Sequence, residues 1–135
     1  MSSFHLQIVT LDGLCFDGEA EKLIVRTVDG EVCILAKHIN YVAPLGMGEA
    51  KVVTADGTRT AACIGGLVVV TDGEVRLAPT TFEWSEDIDA ERAENARKQA
   101  EALLADRKNL SQQSVVAAEA KLRRALVRQS VANNR

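Results

Sequence analysis

The hydrophobic period of this chain changes once along its length, and that change limits the folds it can adopt. Early in the chain, Leu6 and Ile8 alternate with more polar neighbours, which is the period of a half-buried strand. From Ile88 onward, apolar residues recur every three or four positions, which is the period of a helix. We therefore predict an α+β chain: an all-β sandwich of two small antiparallel sheets over residues 1–84, then an antiparallel helical hairpin over residues 85–135.

Four Asp-Gly pairs in the first part of the chain predict hairpin turns, because both residue types tolerate positive φ angles. Many short strands joined by tight turns favour an antiparallel sandwich or barrel. Gly65-Gly66 predicts a further turn or a bulge. The Asp-Gly pairs lie at 12–13, 29–30, 56–57 and 72–73, and the strand-like runs lie at 22–28, 32–35, 50–54, 58–64, 67–71 and 74–78.

The second part carries two narrow apolar stripes made mostly of alanine. The polar stretch 106–114 between them predicts the connection of the hairpin, and Ser85 or Asp87 is the expected N-cap of the first helix. Burying one CH₂-sized group contributes only about 0.8 kcal/mol, so we expect the hairpin to be marginal alone and loosely attached to the sandwich. The stripes are Ala93, Ala96, Ala100, Leu103 and Leu104, then Ala118, Leu122, Ala125 and Leu126.

Composition argues against several classes of protein. The 135 residues are 47% hydrophobic but only 4% aromatic, so a core must rest on aliphatic side chains. A net charge of -3 argues against nonspecific nucleic-acid binding, which requires clustered cations. No apolar run approaches the roughly 20 residues that span a bilayer, and no secretory segment is expected at the start. Three cysteines without CxxC spacing disfavour disulfides and zinc and suggest a reducing cytosol.

Two groups of charged residues are candidates for ligand binding. Lys121, Arg124 and Arg128 fall within a narrow arc of the second helix and could cradle phosphates, or could form a solvated charged stripe. Asp89 and Arg92 could form a ligand site, or only an exposed pair three residues apart that contributes about 0.2–0.5 kcal/mol. Spacing alone favours the plainer interpretation of both groups.

The other candidates for chemistry are weaker. His38 lies past the end of a strand, where a surface or partner contact is expected. Cys33 lies within a strand and is expected to be a buried small hydrophobe. A thiolate enzyme using Cys15 or Cys33 would need a cationic neighbour or a helix N-terminus, and the sequence places neither. With no catalytic triad or metal cluster, the residues indicate a binding or assembly protein; the alternative is a small-molecule-binding sandwich with no assembly role.

Several stretches together resemble the epsilon-subunit family of the F-type ATP synthases, over the full chain and in the domain order of that family. The sandwich carries HLQIV at 5–9, FDG at 16–18, and DGEVCIL at 29–35 leading to His38, which is similar to the family run G-E-L-G-I-L-x-x-H. The hairpin begins with IDAERA at 88–93, which fits the family motif (I/L)-D-x-x-R-A without a mismatch. The order and spacing of these stretches make the resemblance specific.

The sequence departs from the family pattern in one region of the sandwich. Cys33 and Lys37 stand where the family usually has glycine, and Ile39-Asn40-Tyr41 replaces a commoner Ala-Pro-Leu. Because the family uses this region against its rotor partner, the departures predict a divergent partner surface and leave the predicted fold unchanged.

The resemblance implies a noncatalytic rotor subunit of the central stalk of a proton- or sodium-translocating enzyme. Such a subunit joins the gamma subunit to the ring of membrane c subunits, on the cytoplasmic side of the bacterial cell membrane. Glu31 matches a position that faces the c ring, and His38 one that faces gamma. The hairpin would lie folded, or extend along gamma to the alpha and beta subunits and inhibit ATP hydrolysis. The implied subunit binds no nucleic acid and meets the membrane only through the complex.

The resemblance also implies ATP as a regulatory ligand, with no catalytic cofactor and no metal. In some bacterial members the folded hairpin binds ATP through the (I/L)-D-x-x-R-A motif and basic residues of the second helix. By that pattern Asp89 would contact the adenine amino group and Ala93 would leave room for the ring. Arg124 and Arg128 would meet phosphate oxygens as charge-assisted donors. The implied nucleotide site is Glu83, Ile88, Asp89, Arg92, Ala93, Arg124 and Arg128.

One position of the implied nucleotide site differs from the family pattern. Gln99 stands where the family usually has an arginine of the first helix, so the affinity for ATP does not follow from the resemblance. Arg97, two residues earlier, is the neighbouring cation that could compensate.

Overall fold

A computed structural model describes residues 2–134 of the chain. In this part ten strands are followed by two α-helices, and the chain divides into two compact units, Met1–Trp84 and Ser85–Arg135. The predicted fold class, a β-sandwich followed by a helical hairpin, is confirmed. The strands are β1 Phe4–Thr10, β2 Gly13–Ala20, β3 Lys22–Thr27, β4 Gly30–Leu35, β5 Tyr41–Pro44, β6 Met47–Thr54, β7 Gly57–Ile64, β8 Leu67–Thr71, β9 Glu74–Ala78 and β10 Thr81–Trp84.

The strands form two five-stranded sheets, in the orders β2-β1-β9-β8-β5 and β10-β7-β6-β3-β4. Neighbouring strands are antiparallel except for β1 and β9, which are parallel, with Leu6 opposite Val75 and Ile8 opposite Leu77. These two strands are far apart in sequence, so no hairpin fixes their relative direction. The first sheet is therefore mixed, where the sequence predicted an antiparallel one.

All four Asp-Gly pairs lie at hairpin turns, as predicted. In three of them a threonine two residues before the aspartate supports the turn, since its hydroxyl accepts a hydrogen bond from the aspartate N–H. In the β8–β9 turn Asp72 and Gly73 themselves form the two-residue loop, and their φ angles are 50° and 84°. The three threonine–aspartate contacts join Thr10 to Asp12, Thr27 to Asp29, and Thr54 to Asp56.

Gly66 lies in the predicted turn between β7 and β8, at a position that requires glycine. Its φ angle is +95°, and a Cβ atom placed there would lie 2.1 Å from the carbonyl oxygen of Ala78. Only a residue without a Cβ allows the backbone of this turn to approach the end of β9 so closely.

The core of the sandwich lies between the two sheets and is aliphatic, as the composition predicted. Fully buried core side chains alternate with exposed ones along the strands. On β4 this alternation overturns one expectation: Ile34 is buried, whereas Cys33 is exposed together with Glu31 and Leu35. The predicted burial of Cys33 is wrong because its place in the strand puts it on the outer face. The largest fully buried core residues are Leu6, Ile8, Leu23, Val25, Ile34, Val52, Val68, Val70 and Leu77.

An exposed ion pair joins β1 to β2 at the edge of the first sheet. His5 Nε2 lies 2.5 Å from Asp17 Oδ1. The hydrogen bond to Asp17 raises the pKa of His5 above its ordinary value of 6.5, and the charges of Glu74 and Glu19 raise it further. The protonated form of His5 is therefore favoured in the folded sandwich.

The second unit is a hairpin of α1, Ala90–Ala105, and α2, Gln112–Asn133. Arg107–Asn109 forms a short 3₁₀ turn between them, so the second helix begins inside the stretch predicted as the connection. Ser85 and Asp87, the predicted N-caps, belong to a separate 3₁₀ turn, Ser85–Asp87. That prediction is wrong, because Asp89 caps α1.

Alanines line the face between the helices. Ala93 and Ala100 are buried on α1, and Ala118 and Ala125 are buried on α2. Each pair is seven residues apart, which is two helical turns and keeps both methyl groups on one face. Small side chains let helix axes approach closely. Two leucines of the predicted stripes are not part of this face, since Leu103 and Leu126 are both 46% exposed.

Candidate functional site

Asp89 has a defined structural role at the start of α1. Its backbone is extended, and its side-chain Oδ1 accepts a hydrogen bond of 3.0 Å from the backbone N–H of Arg92. The sequence suggested a contact between these two residues, and the contact runs through the backbone of Arg92. Among the described residues no ion pair joins the two side chains. Capping uses one carboxylate oxygen, so the other can still accept a hydrogen bond.

Two hydrogen bonds between the helices fix how the hairpin is aligned. Gln129 Nε2 donates to Glu94 Oε2, near the start of α1. Lys121 Nζ donates to Gln99 Oε1 over 2.9 Å, nearer the middle of α1. The end of α2 therefore lies beside the beginning of α1, as expected for an antiparallel hairpin.

This alignment brings part of the predicted nucleotide site together. Arg128 immediately precedes Gln129, so it lies at the level of Ala93 and Glu94 near the start of α1. Arg124 is one helical turn earlier on α2 and lies between the levels of the two inter-helix hydrogen bonds. Arg128 thus lies on α2 near the level of the start of α1, and Arg124 lies about one helical turn further along α1.

Lys121, which the spacing grouped with Arg124 and Arg128, has a hydrogen-bond partner on the other helix. Its ammonium group is hydrogen-bonded to Gln99 on the opposite helix. This hydrogen bond uses one of the three donors of the ammonium group. This contact does not follow from the sequence, because the alignment of two helices cannot be derived from the spacing within each one.

Arg97, the cation that could compensate for Gln99, already has two carboxylate partners on its own helix. Its guanidinium is hydrogen-bonded to Glu94 and, over 2.6 Å, to Glu101. The hydrogen bond from Arg97 lowers the pKa of Glu94, and the two carboxylates raise that of Arg97. Arg97 would have to leave these partners before it could serve a phosphate.

The two other members of the implied site lie before α1. Ile88 is 4% exposed, and its backbone N–H donates to the Ser85 carbonyl oxygen over 3.3 Å. Glu83 is a half-buried residue of β10 in the first unit, next to Trp84. The ring of Trp84 is covered by the guanidinium of Arg59, 3.7 Å from its centroid.

The predicted partner residues lie at the two ends of β4. Glu31 is exposed near its start. His38 follows its end, where its Nδ1 lies 2.8 Å from the Ile39 carbonyl oxygen and its ring meets Tyr41 edge-on at 5.7 Å. Lys37, at a position where the resembled family usually has glycine, has a φ angle of 64°. Two of the departures from the family pattern, Ile39 and Tyr41, therefore contact His38 directly.

The cysteine thiols, the possible metal ligands and the surface groove give little support to a catalytic or metal-binding site. Cys63 is buried, and burial raises the pKa of its thiol to about 12, which disfavours a thiolate. Within residues 2–134 no group of acidic, histidine and cysteine side chains could hold a metal ion. A groove of about 620 Å³ beside β1 and β9 is open to solvent, unlike the enclosing pockets that bind most small molecules. It is lined in part by Val9, Leu11, Arg76 and Pro79.

Comparison with known protein families assigns both units. The profile described as ATP synthase, Delta/Epsilon chain, beta-sandwich domain, matches residues 3–85. The profile described as ATP synthase, Delta/Epsilon chain, long alpha-helix domain, matches residues 86–133. The chain belongs to the delta/epsilon family of ATP synthase chains.

Similar members of this ATP synthase family match along the whole chain. The ATP synthase epsilon chain of Shouchella clausii is 37% identical over 139 residues, which cover 100% of this chain and 98% of the relative. That of Ruminococcus albus is 38% identical over 136 residues, which cover 100% of both chains. The resemblance inferred from the sequence motifs is confirmed.

Solved structures of the ATP synthase family share the fold at low sequence identity. A chain of the Euglena gracilis mitochondrial ATP synthase, in a structure of OSCP, F1 and c-ring, has a TM-score of 0.83 and 22% identity, covering 100% of this chain and 83% of that one. A chain of the Tetrahymena thermophila enzyme, in a structure of central stalk and c-ring, has a TM-score of 0.60 and 16% identity, covering 95% of each. In this epsilon-type chain, no helix among residues 2–134 is long and apolar enough to cross a membrane.

Proposed function

We propose that the chain is a noncatalytic epsilon subunit of the central stalk of an F-type ATP synthase, where it joins gamma to the c ring. The observation that carries this proposal is the full-length match, with both domains in order, to chains named ATP synthase epsilon chain. The fold likeness to chains in ATP synthase structures that contain the c-ring supports the same place. The subunit would be peripheral, on the cytoplasmic side of the bacterial membrane.

The two ends of β4 would meet different partners, Glu31 the c ring and His38 gamma. β4 has six residues, so at about 3.3 Å per residue its ends are roughly 17 Å apart. A negative charge introduced at His38 should therefore weaken binding to gamma more than Glu31→Lys does, whereas Glu31→Lys should disturb coupling to the c ring. Glu74→Lys, at an exposed turn of the first sheet, is the control. Equal loss of gamma binding from both changes would refute this assignment of faces.

The hairpin would inhibit ATP hydrolysis when extended and would bind ATP when folded. Asp89 has a carboxylate oxygen beyond the one that caps α1, and Arg124 and Arg128 lie four residues apart on one face of α2. These groups are suited to an adenine amino group and to phosphate oxygens respectively. ATP that binds only the folded hairpin stabilises it by about 2.7 kcal/mol at a hundredfold excess over Kd, enough to shift a nearly balanced equilibrium.

Isothermal titration of ATP into the full chain tests the nucleotide site. Asp89→Asn is the informative variant, because asparagine still caps the helix but offers an N–H group where the adenine amino group needs an acceptor. Arg124→Ala should also weaken binding by roughly tenfold, the lower end for a hydrogen bond to a charged group. Arg123→Ala removes a neighbouring exposed cation and serves as the matched control. If millimolar ATP gives no heat, the nucleotide site has been lost in this chain, together with the arginine that Gln99 replaces.

A further inference from the structure

The alanine face of the hairpin has a polar bridge on each side. Glu94, which receives the hydrogen bond of Gln129, and Gln99, which receives that of Lys121, are five residues apart on α1. On a helix with 3.6 residues per turn, this spacing separates them by about 140° around the axis. Ala93 and Ala100 lie within the remaining arc of about 220°, so the two bridges flank the alanine face on its opposite sides.

We propose that these two bridges form a latch that holds the hairpin closed without any nucleotide. The inference rests on the proposed function, since ATP would act there on the closed hairpin, but the latch itself needs no nucleotide. Each bridge joins a charged group to a neutral amide: an ammonium to Gln99, and the carboxylate of Glu94 to Gln129. Hydrogen bonds with one ionised partner are stronger than those between neutral groups.

The alanine face needs such support because it buries little apolar surface. The buried residues of α1 are Ala93 and Ala100, and a methyl group contributes far less on burial than a leucine side chain does. The carboxylate of Glu94 also forms ion pairs with Arg97 and Lys98 on its own helix, which support its position in the bridge. Glu94 therefore remains ionised and oriented toward Gln129.

The latch changes what a nucleotide can do. Gln99 holds the ammonium of Lys121 against α1, where one of its three donors serves closure. A nucleotide would then bind a hairpin that the two bridges already hold closed.

The test uses the full chain with ¹³C-labelled alanine methyl groups and no nucleotide. Nuclear Overhauser effects between the methyls of α1 and α2 report closure, and the methyls of Ala50 and Ala61 report an intact sandwich core. The variants are Gln99→Met, Lys121→Met and the double variant, which together form a double-mutant cycle. Arg123→Met, which removes an exposed cation from the same helix, is the control.

If the latch exists, the unmodified chain without nucleotide should show nuclear Overhauser effects between the alanine methyls of α1 and those of α2. Gln99→Met and Lys121→Met should each raise the open population by roughly two- to tenfold, and the double variant should be no more open than either. Gln129→Met should act similarly through the other bridge. An unmodified hairpin that is open without nucleotide, or additive effects at positions 99 and 121, would overturn the latch. Nucleotide binding is measured separately, by titration, so the proposed function can fail while the latch stands.

Discussion

Replacing Ala100 with leucine should open the hairpin, because Ala100 is fully buried and a larger side chain would overpack its surroundings. Ala100 is fully buried on α1, between the two edges marked by Glu94 and Gln99. A leucine adds three heavy atoms there, and overpacking of this kind costs about 1–3 kcal/mol. Since each 1.4 kcal/mol is a factor of ten, the open fraction should rise by roughly 5- to 150-fold. Leucine ranks next to alanine in helix propensity, so the helix itself is spared.

Amide hydrogen exchange of the full chain measures this opening, because protection of the helices reports the free energy of the opening reaction. Ala102→Leu is the matched control, since it makes the same chemical change at an exposed position of the same helix. Amides of α1 and α2 should lose protection in Ala100→Leu and keep it in Ala102→Leu, while amides of the sandwich remain unchanged. Equal protection in both variants would show that the alanine face does not hold the hairpin closed.

Three further outcomes can be checked in isolated protein. A fragment of residues 1–84 should show a cooperative thermal transition by circular dichroism, because the core of the sandwich closes within it; an unfolded fragment would contradict this. His5, with its pKa raised above 6.5 by Asp17, should stabilise the sandwich below about that pH and lose this effect as pH rises through the raised value. An NMR titration that gives His5 a pKa at or below 6.5 would contradict its ion pair with Asp17. Gly66→Ala should lower the urea midpoint far more than Gly73→Ala, where a Cβ has open space.

Much of the sandwich could be predicted because each of its tight turns is specified by a few adjacent residues. The Asp-Gly pairs fixed the hairpins of β3–β4, β6–β7 and β8–β9, and the strands between them follow from the alternation of apolar residues. Three strands were not predicted, each for a physical reason. β2 contains two glycines and two acidic residues and buries little, β5 has four residues and a proline that only an edge strand tolerates, and β10 has four residues.

The features that could not be predicted from the sequence are contacts between segments that are distant along the chain. The parallel pairing of β1 with β9 depends on the assembly of the whole sheet, since no turn joins them. The hydrogen bond from Lys121 to Gln99 likewise depends on the alignment of two helices. The capping role of Asp89 was within reach, because Ile88-Asp89-Ala90 places an aspartate immediately before the helical period, but the acidic residues upstream offered equally good candidates.

The central claim, a stalk subunit whose hairpin restrains hydrolysis, is tested most directly by one comparison of rates. ATP hydrolysis is measured for an alpha–beta–gamma complex from the same organism, first with the full chain and then with a chain that ends at Trp84. Under the proposed function the sandwich makes the stalk contacts, so both forms should bind the complex, and only the full chain should lower the rate of hydrolysis. Failure of both forms to bind, or equal rates with bound full-length and shortened chains, would contradict the claim.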